Sequence, residues 1–219
     1  MEWKCDCQDN IKDLIILLEN YDNNYSTQEE IFDLFCSAFG IDDFIPQIVN
    51  KREYMYSDGI VLYRGYDSSL KDFSLYKEEF LKGKYQRYSR SVLGKGMCFS
   101  DDKSIIREYS NLAGKIFGAN IIKCKLSENA KLIQRNYLKV EFSNRYRELL
   151  ERIQNYLKCN INVAKTLLTI ASDEDNNMMR AVLCGYDGLA EQYNDGKKVF
   201  VIYNRACFKV LVKKYNKIR

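Results

Sequence analysis

The sequence contains no histidine, a single proline and, among its eight cysteines, no Cys-x-x-Cys pair. The missing histidine excludes Ser-His-Asp and Cys-His catalysis, histidine metal sites and acid–base chemistry by imidazole. The cysteine spacing argues against a zinc ribbon. Most of the cysteines lie in apolar runs, which is typical of small buried residues in a reducing compartment. We therefore expect no bound metal and no histidine-dependent enzyme.

Long apolar segments are missing as well. No stretch approaches the ~20 apolar residues that span a bilayer, and no signal peptide is visible at the first residues. We expect a protein without a membrane partner that acts in the cytoplasm of the producing or the infected cell. The 219 residues are 46% hydrophobic and 29% charged, with a net charge of +4. This composition indicates a folded globular protein and favours no particular class of partner.

The hydrophobic pattern divides the chain into a helical N-terminal extension, residues 1–55, and a mixed domain, residues 56–219. Helical spacing predicts helices at 9–20, from the capping sequence at 26–30 to about Gly40, and at 68–83, 143–158, 161–172 and 175–184. Strands are predicted at 59–63, 97–100, 120–126, 187–190, 198–203 and 207–212, with a hairpin turn at 193–196. The fold class is therefore α+β.

Two short blocks at strand ends carry polar groups that suit a phosphate-linked nucleotide. The first, residues 62–65, ends in Arg64-Gly65, where a guanidinium can fork onto phosphate oxygens and glycine lets a ligand approach the backbone. The second, residues 94–103, has a Gly-x-Gly turn and then Phe99-Ser100 before two acids, one of which caps the next helix. Taken singly, each block also fits a salt-bridged strand end or a tight turn with a helix cap.

A third block, residues 185–192, supplies a carboxylate. It places Glu191 and Gln192 after the turn sequence Gly-Tyr-Asp-Gly at 185–188. A carboxylate held against a bound ribose can stabilise an oxocarbenium-like centre. For Glu191 alone, this interpretation and that of a solvated hairpin edge are about equally good. In chain order the three blocks offer a cation, a hydroxyl and a carboxylate.

The ordered blocks resemble the three conserved segments of the ADP-ribosyltransferases. The resemblance rests on Arg-Gly after a strand, on Gly-x-Gly-x-x-Phe-Ser-Asp-Asp-Lys-Ser before a helix, and on Gly-Tyr-Asp-Gly before Val-Phe-Val-Ile-Tyr-Asn. It covers roughly residues 58–212. It implies a split β-sheet core and NAD as the bound cofactor, and the absence of histidine fits the Arg-Ser-Glu subgroup.

The resemblance also implies a role for each matching position. Arg64 would contact the phosphate or ribose of NAD, the Gly65 backbone would bond the nicotinamide amide, and Tyr66 would belong to the same cofactor-binding set. Ser100 would support the nicotinamide ribose and the catalytic acid.

The remaining implied roles belong to aromatic and acidic residues. Phe99 or Tyr109 would help to sandwich the nicotinamide, and Glu191 would hold the ribose 2′-hydroxyl and stabilise the oxocarbenium ion. The third segment departs from the subgroup's Glu-x-Glu or Gln-x-Glu pattern, because the next strand starts at Lys198-Val199. Glu191 is therefore the first candidate for the catalytic acid, and Gln192 or Asp195 is the next. Asp187 is a weaker candidate because its sequence surroundings suit a turn.

These features lead us to expect an NAD-dependent mono-ADP-ribosyltransferase that modifies a macromolecule, as a bacterial or phage effector of the toxin or anti-defence type. A protein acceptor is favoured over a nucleic acid. The alternative is a catalytically inactive module of the same fold that binds and inhibits a protein or nucleic-acid partner. A nucleic-acid binder that uses the basic residues 213–219 and the many tyrosines is the third hypothesis.

Overall fold

The structure of the chain is a computed structural model that describes residues 3, 8–22, 25–41, 43–65, 90–91, 94–95, 97–105, 121–193 and 196–211. Its helices are α1 (Gln8–Glu19), α2 (Tyr25–Ala38), α3 (Lys51–Tyr56), α4 (Arg135–Asn144), α5 (Tyr146–Leu157), α6 (Ile161–Ser172) and α7 (Asn177–Cys184). Its strands are β1 (Gln47–Val49), β2 (Ile60–Gly65), β3 (Arg90–Ser91), β4 (Gly94–Lys95), β5 (Met97–Ser100), β6 (Ile121–Leu126), β7 (Leu132–Ile133), β8 (Gly188–Gln192), β9 (Lys198–Ile202) and β10 (Phe208–Leu211). The fold mixes α and β elements, as expected.

Eight of these strands form one mixed sheet in the order β1-β10-β6-β2-β5-β9-β8-β7. Neighbouring strands are antiparallel except at the two edges, where β1 pairs with β10 and β7 with β8 in parallel. Strands β3 and β4 form a separate short antiparallel pair. The three sequence blocks therefore come together on the neighbouring strands β2, β5, β9 and β8.

The two faces of the sheet bury different apolar clusters, because successive side chains of a strand point to opposite faces. One face, which we call the helical face, packs against the helices through residues that include Cys98, Leu189, Val199 and Val201. The opposite face buries a smaller cluster that includes Leu62, Phe99, Cys124, Phe200 and Phe208.

The N-terminal helices share the larger cluster with the rest of the chain. Leu14 of α1 and Phe35 of α2 are fully buried in the same core as Leu167 of α6. Trp3 donates from its indole nitrogen to the Val182 carbonyl at 3.0 Å, and the guanidinium carbon of Arg152 lies 3.9 Å from the centre of its ring. Helices α1 and α2 thus share one core with the helices of the second half of the chain.

The structure adds elements that the hydrophobic pattern does not predict. Strand β1 lies within the predicted helical extension and is largely exposed, so it carries no apolar alternation. The predicted helix at 143–158 is α5, and α4 precedes it as a separate helix with only Leu138 and Phe142 buried. The other predicted helices and strands are confirmed within a few residues, except that the helix at 68–83 lies outside the described residues.

No helix in the described part of the chain has the length and apolar character that crossing a bilayer requires.

Candidate functional site

A single row of paired residues crosses the middle of the sheet and connects the three sequence blocks. Tyr63 of β2 pairs with Lys123 of β6 and with Ser100 of β5, Ser100 pairs with Val199 of β9, and Val199 pairs with Glu191 of β8. Residues paired across strands share a face of the sheet. We call these five residues the central row. They bring a cation, an aromatic ring, a hydroxyl and a carboxylate to one face.

Glu191 is half-buried, and its carboxylate contacts the start of a helix. Its Oε1 accepts a hydrogen bond from the backbone nitrogen of Arg135 at 2.5 Å. Arg135 is the first residue of α4, and the preceding Gln134 makes no side-chain cap. The first amides of a helix lack partners within the helix and favour negative charge. The carboxylate therefore caps α4 and is held in place by it.

Ser100 is fully buried and joins the end of β5 to the start of β9. Its Oγ donates to the Lys198 carbonyl at 2.9 Å and accepts from the Asp102 backbone nitrogen at 3.0 Å. Two strand spacings, about 10 Å between backbones, separate it from Glu191. The hydroxyl thus contacts the hairpin's main chain, and the described hydrogen bonds do not include the expected one to Glu191.

The two acids after Ser100 complete this end of the sheet. Asp101 accepts from the Lys198 backbone nitrogen at 3.2 Å, and Asp102 Oδ1 accepts from the Ser104 backbone nitrogen at 2.8 Å. The Ser104 hydrogen bonds, first from its backbone and then from its side chain, lower the pKa of Asp102, and the charge of Lys197 acts in the same direction. Asp102 is the cap that the sequence predicts as Asp101 or Asp102.

Arg64 and Phe99 belong to the other side of the sheet. The Arg64 Nη1 donates to the Cys98 carbonyl at 3.0 Å, and its guanidinium carbon lies 5.8 Å from the centre of the Phe99 ring. Phe99 is 1% exposed and packs against Phe208 with ring centres 4.6 Å apart. Alternation along β2 and β5 therefore turns Arg64 and Phe99 away from the face that carries Ser100 and Glu191. A Phe99 ring buried in this way is not available to sandwich a nicotinamide.

Asp187, the weaker candidate for the acid, is buried, and both of its carboxylate oxygens accept hydrogen bonds from the scaffold. Oδ2 accepts from the Lys131 backbone nitrogen at 2.8 Å, and Oδ1 accepts from Asn204 Nδ2 at 2.7 Å. Its backbone carbonyl accepts from Tyr203 and Asn204. The next position, Gly188, accepts only glycine, because a Cβ there would lie 2.5 Å from the Val201 carbonyl oxygen. This part of the third block joins β7, β8 and β9.

The remaining predicted residues lie at the periphery of this site or outside the described residues. Gly65 pairs with Ile121 at the end of β2, and Gln192 is exposed and pairs with Lys198. Tyr66, Tyr109 and Asp195 lie outside the described residues. The predicted hairpin between β8 and β9 is confirmed: Tyr193 and Gly196 form its closing hydrogen bond, and Gly196 has the positive φ of 84° that such a turn requires.

Sequence reasoning missed Arg135 and the backbone of Lys198 as partners of the site. Arg135 lies 56 residues from Glu191, and Lys198 lies 98 residues from Ser100. Both contacts use main-chain atoms, which every residue possesses, so no residue type marks them. Only the predicted hairpin at 193–196 offered a signal, since it places Lys198 near Glu191.

The cysteines that the structure describes are not joined in disulfide bonds, and burial raises the pKa of Cys184 and Cys207 to about 12 and that of Cys124 further. These three thiols stay protonated at neutral pH and are not nucleophiles. Over the described ranges, no three Cys, Asp or Glu side chains are grouped in a way that would hold a metal ion.

Comparison of the chain with models of protein families, with curated proteins and with solved structures finds no match.

Proposed function

We propose that the protein is an NAD-dependent mono-ADP-ribosyltransferase that modifies a macromolecular target. The observation that supports this proposal most strongly is the central row. Blocks separated by long stretches of sequence come to lie on four adjacent strands, with Ser100 and Glu191 on the same face.

In this proposal Glu191 is the catalytic residue. The bond between the ribose C1′ and the nicotinamide nitrogen breaks, and its electron pair leaves with the nicotinamide. The carboxylate stabilises the positive charge that develops on the ribose, and a nucleophilic atom of the acceptor then bonds to C1′ and releases its proton to water. Fixed charge at a protein site is effective here because it needs no reorganisation when the charge develops.

The other blocks take supporting roles. Ser100 is a positioning residue, because its hydroxyl fixes the start of β9 beside β5. Arg64 is half-buried at the end of β2, on the opposite face from Glu191, and under this proposal its guanidinium would contact phosphate at that strand end. The bonds of Arg64 to the Cys98 carbonyl and the Phe99 ring hold its guanidinium in a defined direction.

A second candidate function is a module of this kind that binds a partner without catalysis. Two observations favour it. One oxygen of Glu191 is already used to cap α4, and a lysine, Lys198, stands where the subgroup carries its acid. In this case the Glu191 carboxylate stabilises α4, and the partner binds on the surface of the sheet.

The two candidates are separated by incubating the protein with labelled NAD and host lysate. We expect label transfer and nicotinamide release from the wild type, and a loss of about a hundredfold in Glu191→Gln, which keeps a hydrogen-bond acceptor for Arg135 but removes the charge. Arg64→Ala should also lose activity.

The matched control is Glu151→Gln, which removes one carboxylate from an exposed position on α5. It should retain wild-type transfer. Wild-type protein that neither transfers label nor consumes NAD would overturn the transferase proposal, and the absence of NAD binding in calorimetry would then support the silent module.

A further inference from the structure

Lysines extend the central row across the neighbouring strands on the same face. Lys123 pairs with Tyr63, and Lys125, two residues further along β6, pairs with Lys209 of β10. Lys103 reaches the row from the start of the helix after β5, with its Nζ 5.1 Å from the centre of the Tyr63 ring. We call Lys103, Lys123, Lys125, Lys209 and Tyr63 the lysine surface.

Two of these lysines lie beside one aromatic ring. The Nζ atoms of Lys123 and Lys125 lie 5.8 Å and 5.2 Å from the centre of the same ring, that of Tyr54 on α3. Tyr54 is buried beneath them. Lys103 and Lys123 are exposed, and Lys125 and Lys209 are half-exposed. The surface is therefore a basic area with an aromatic ring near three of its lysines, Tyr63 near Lys103 and Tyr54 near Lys123 and Lys125.

Among the residues that the structure describes, no carboxylate forms an ion pair with this surface. Within the described residues the ion pairs involve Lys12, Lys139 and Arg145, and none of the four lysines. Lys125 donates to the Ser57 carbonyl at 2.6 Å, which is a neutral acceptor. Four positive charges on one area of a chain with a net charge of only +4 make a local field that attracts anions.

The residue types indicate which anion fits. Lysine is a compact point charge that binds phosphate and carboxylate alike, so the choice between a nucleic acid and an acidic protein depends on the spacing of the lysines and on the aromatic ring beside them. Lys123 and Lys125 stand on one face about 6.6 Å apart along the strand, a regular spacing for an extended polyanion. The half-buried Tyr63 ring offers a face on which a base stacks once the Lys103 side chain moves aside.

We propose that the lysine surface binds single-stranded nucleic acid. The lysines contact backbone phosphates, and Tyr63 stacks on a base. Duplex nucleic acid keeps its bases stacked inside the helix and gains nothing from Tyr63. Because Tyr63 pairs directly with Ser100, the bound strand lies beside the candidate site, and under the proposed transferase function it is the acceptor. This binding needs neither NAD nor catalysis.

The test is fluorescence anisotropy of a labelled single-stranded oligonucleotide of about 12 bases, without NAD, over a series of salt concentrations. We expect the logarithm of the binding constant to fall with that of the salt concentration with a slope of about −3, as four phosphate contacts require. Lys123→Gln/Lys209→Gln should lower the affinity at least about tenfold and reduce the slope by about 1.4. Tyr63→Leu should weaken binding about tenfold with little change of slope.

The control is Lys12→Gln/Lys165→Gln, which makes the same change of charge at exposed positions on α1 and α6. It should bind within about twofold of the wild type. Thermal melts establish that each variant is folded. If the double variant is unfolded, the single variant Lys123→Gln, at an exposed residue, replaces it. Equal losses in the control and the surface variant overturn the proposal, as does binding that a polyglutamate or a duplex of equal length displaces equally well. Failure of NAD cleavage leaves this binding result untouched.

Discussion

Asp187 and Glu191 lie four residues apart in the same sequence block, and their carboxylates have different surroundings. Asp187 is 6% exposed, and both of its oxygens accept hydrogen bonds from groups on other strands and loops. Glu191 is half-buried, and only Oε1 accepts a hydrogen bond among those described. One carboxylate is enclosed by the scaffold, while the other keeps an oxygen for further contacts.

The difference shows how one block serves two purposes. A buried carboxylate whose two oxygens both accept hydrogen bonds from the scaffold is not exposed to a ligand, and its removal leaves the Lys131 and Asn204 donors without an acceptor. A half-buried carboxylate held through one oxygen is oriented and still accessible. The Gly-Tyr-Asp-Gly turn thus builds the frame on which the following strand presents Glu191.

The largest expected effect is on the free energy of unfolding, which should fall more when Asp187 is removed than when Glu191 is removed. Asp187→Ala should lower the free energy of unfolding by about 3 kcal/mol, because the Lys131 backbone nitrogen and the Asn204 amide lose their acceptor. Glu191→Ala should cost only about 1 kcal/mol, the usual value of a helix cap. Urea denaturation followed by circular dichroism measures both, with the exposed Asp175→Ala as the control. Equal costs for the two variants would contradict the comparison.

An intermediate effect tests the contact between Glu191 and α4. Proline is favourable at the first position of a helix, and Gln134, with a ψ of 146°, has the extended backbone that must precede it. Arg135→Pro therefore removes the N–H donor and retains the helix, whereas Arg135→Ala keeps the donor and removes the same side chain. Glu191→Ala should destabilise Arg135→Ala by about 1 kcal/mol and leave Arg135→Pro nearly unchanged.

This pair of backgrounds needs no enzymatic activity, because chemical denaturation of the four variants supplies the coupling energy. If the protein cleaves NAD, kcat of Arg135→Pro should also fall about tenfold below that of Arg135→Ala at similar KM, since the carboxylate loses its orientation. A Glu191→Ala cost that is the same in both backgrounds would show that the contact does not contribute.

The smallest effect concerns Asp102, whose pKa is lowered chiefly by the hydrogen bonds from Ser104. A lowered pKa in the folded state stabilises the protein above the ordinary value of 3.8 and loses that contribution as the pH falls through the folded-state value. Asp102→Asn keeps a capping side chain without the charge. Its melting temperature should be below that of the wild type at about pH 7, and the gap should close toward about pH 2.5. A difference in melting temperature that grows as the pH falls would contradict the expected direction of the pH dependence.

Regular patterning made most of the fold predictable. The apolar residues of α1 recur with the 3.6-residue period of a helix. The segments around Val61 and Val201 are rich in residues that favour strands. Strand β1 was missed because its three residues are exposed or half-exposed, and α4 because two buried residues do not establish a period. Strand order was not predictable, since it depends on pairings such as that of Gln47 with Lys209.

The candidate site was predictable as three blocks and not as a geometry. That the blocks meet follows from the sheet order, which local patterns do not encode. The side of the sheet on which Arg64 and Ser100 lie depends on the register of Tyr63 with Ser100, and a shift of one residue would reverse it. The lysine surface was hidden for the same reason, because its members come from separate strands.

The parallel pairing of β1 with β10 and the bond from Trp3 to Val182, 179 residues apart, have a consequence for synthesis on the ribosome. The first helices leave the ribosome long before α6 exists, so the apolar surface that α1 buries against α6 has no partner until α6 has been made. Contacts between distant parts of a chain close late and slow folding. We expect the nascent N-terminal segment to need protection by a chaperone until the C-terminal strands have been made.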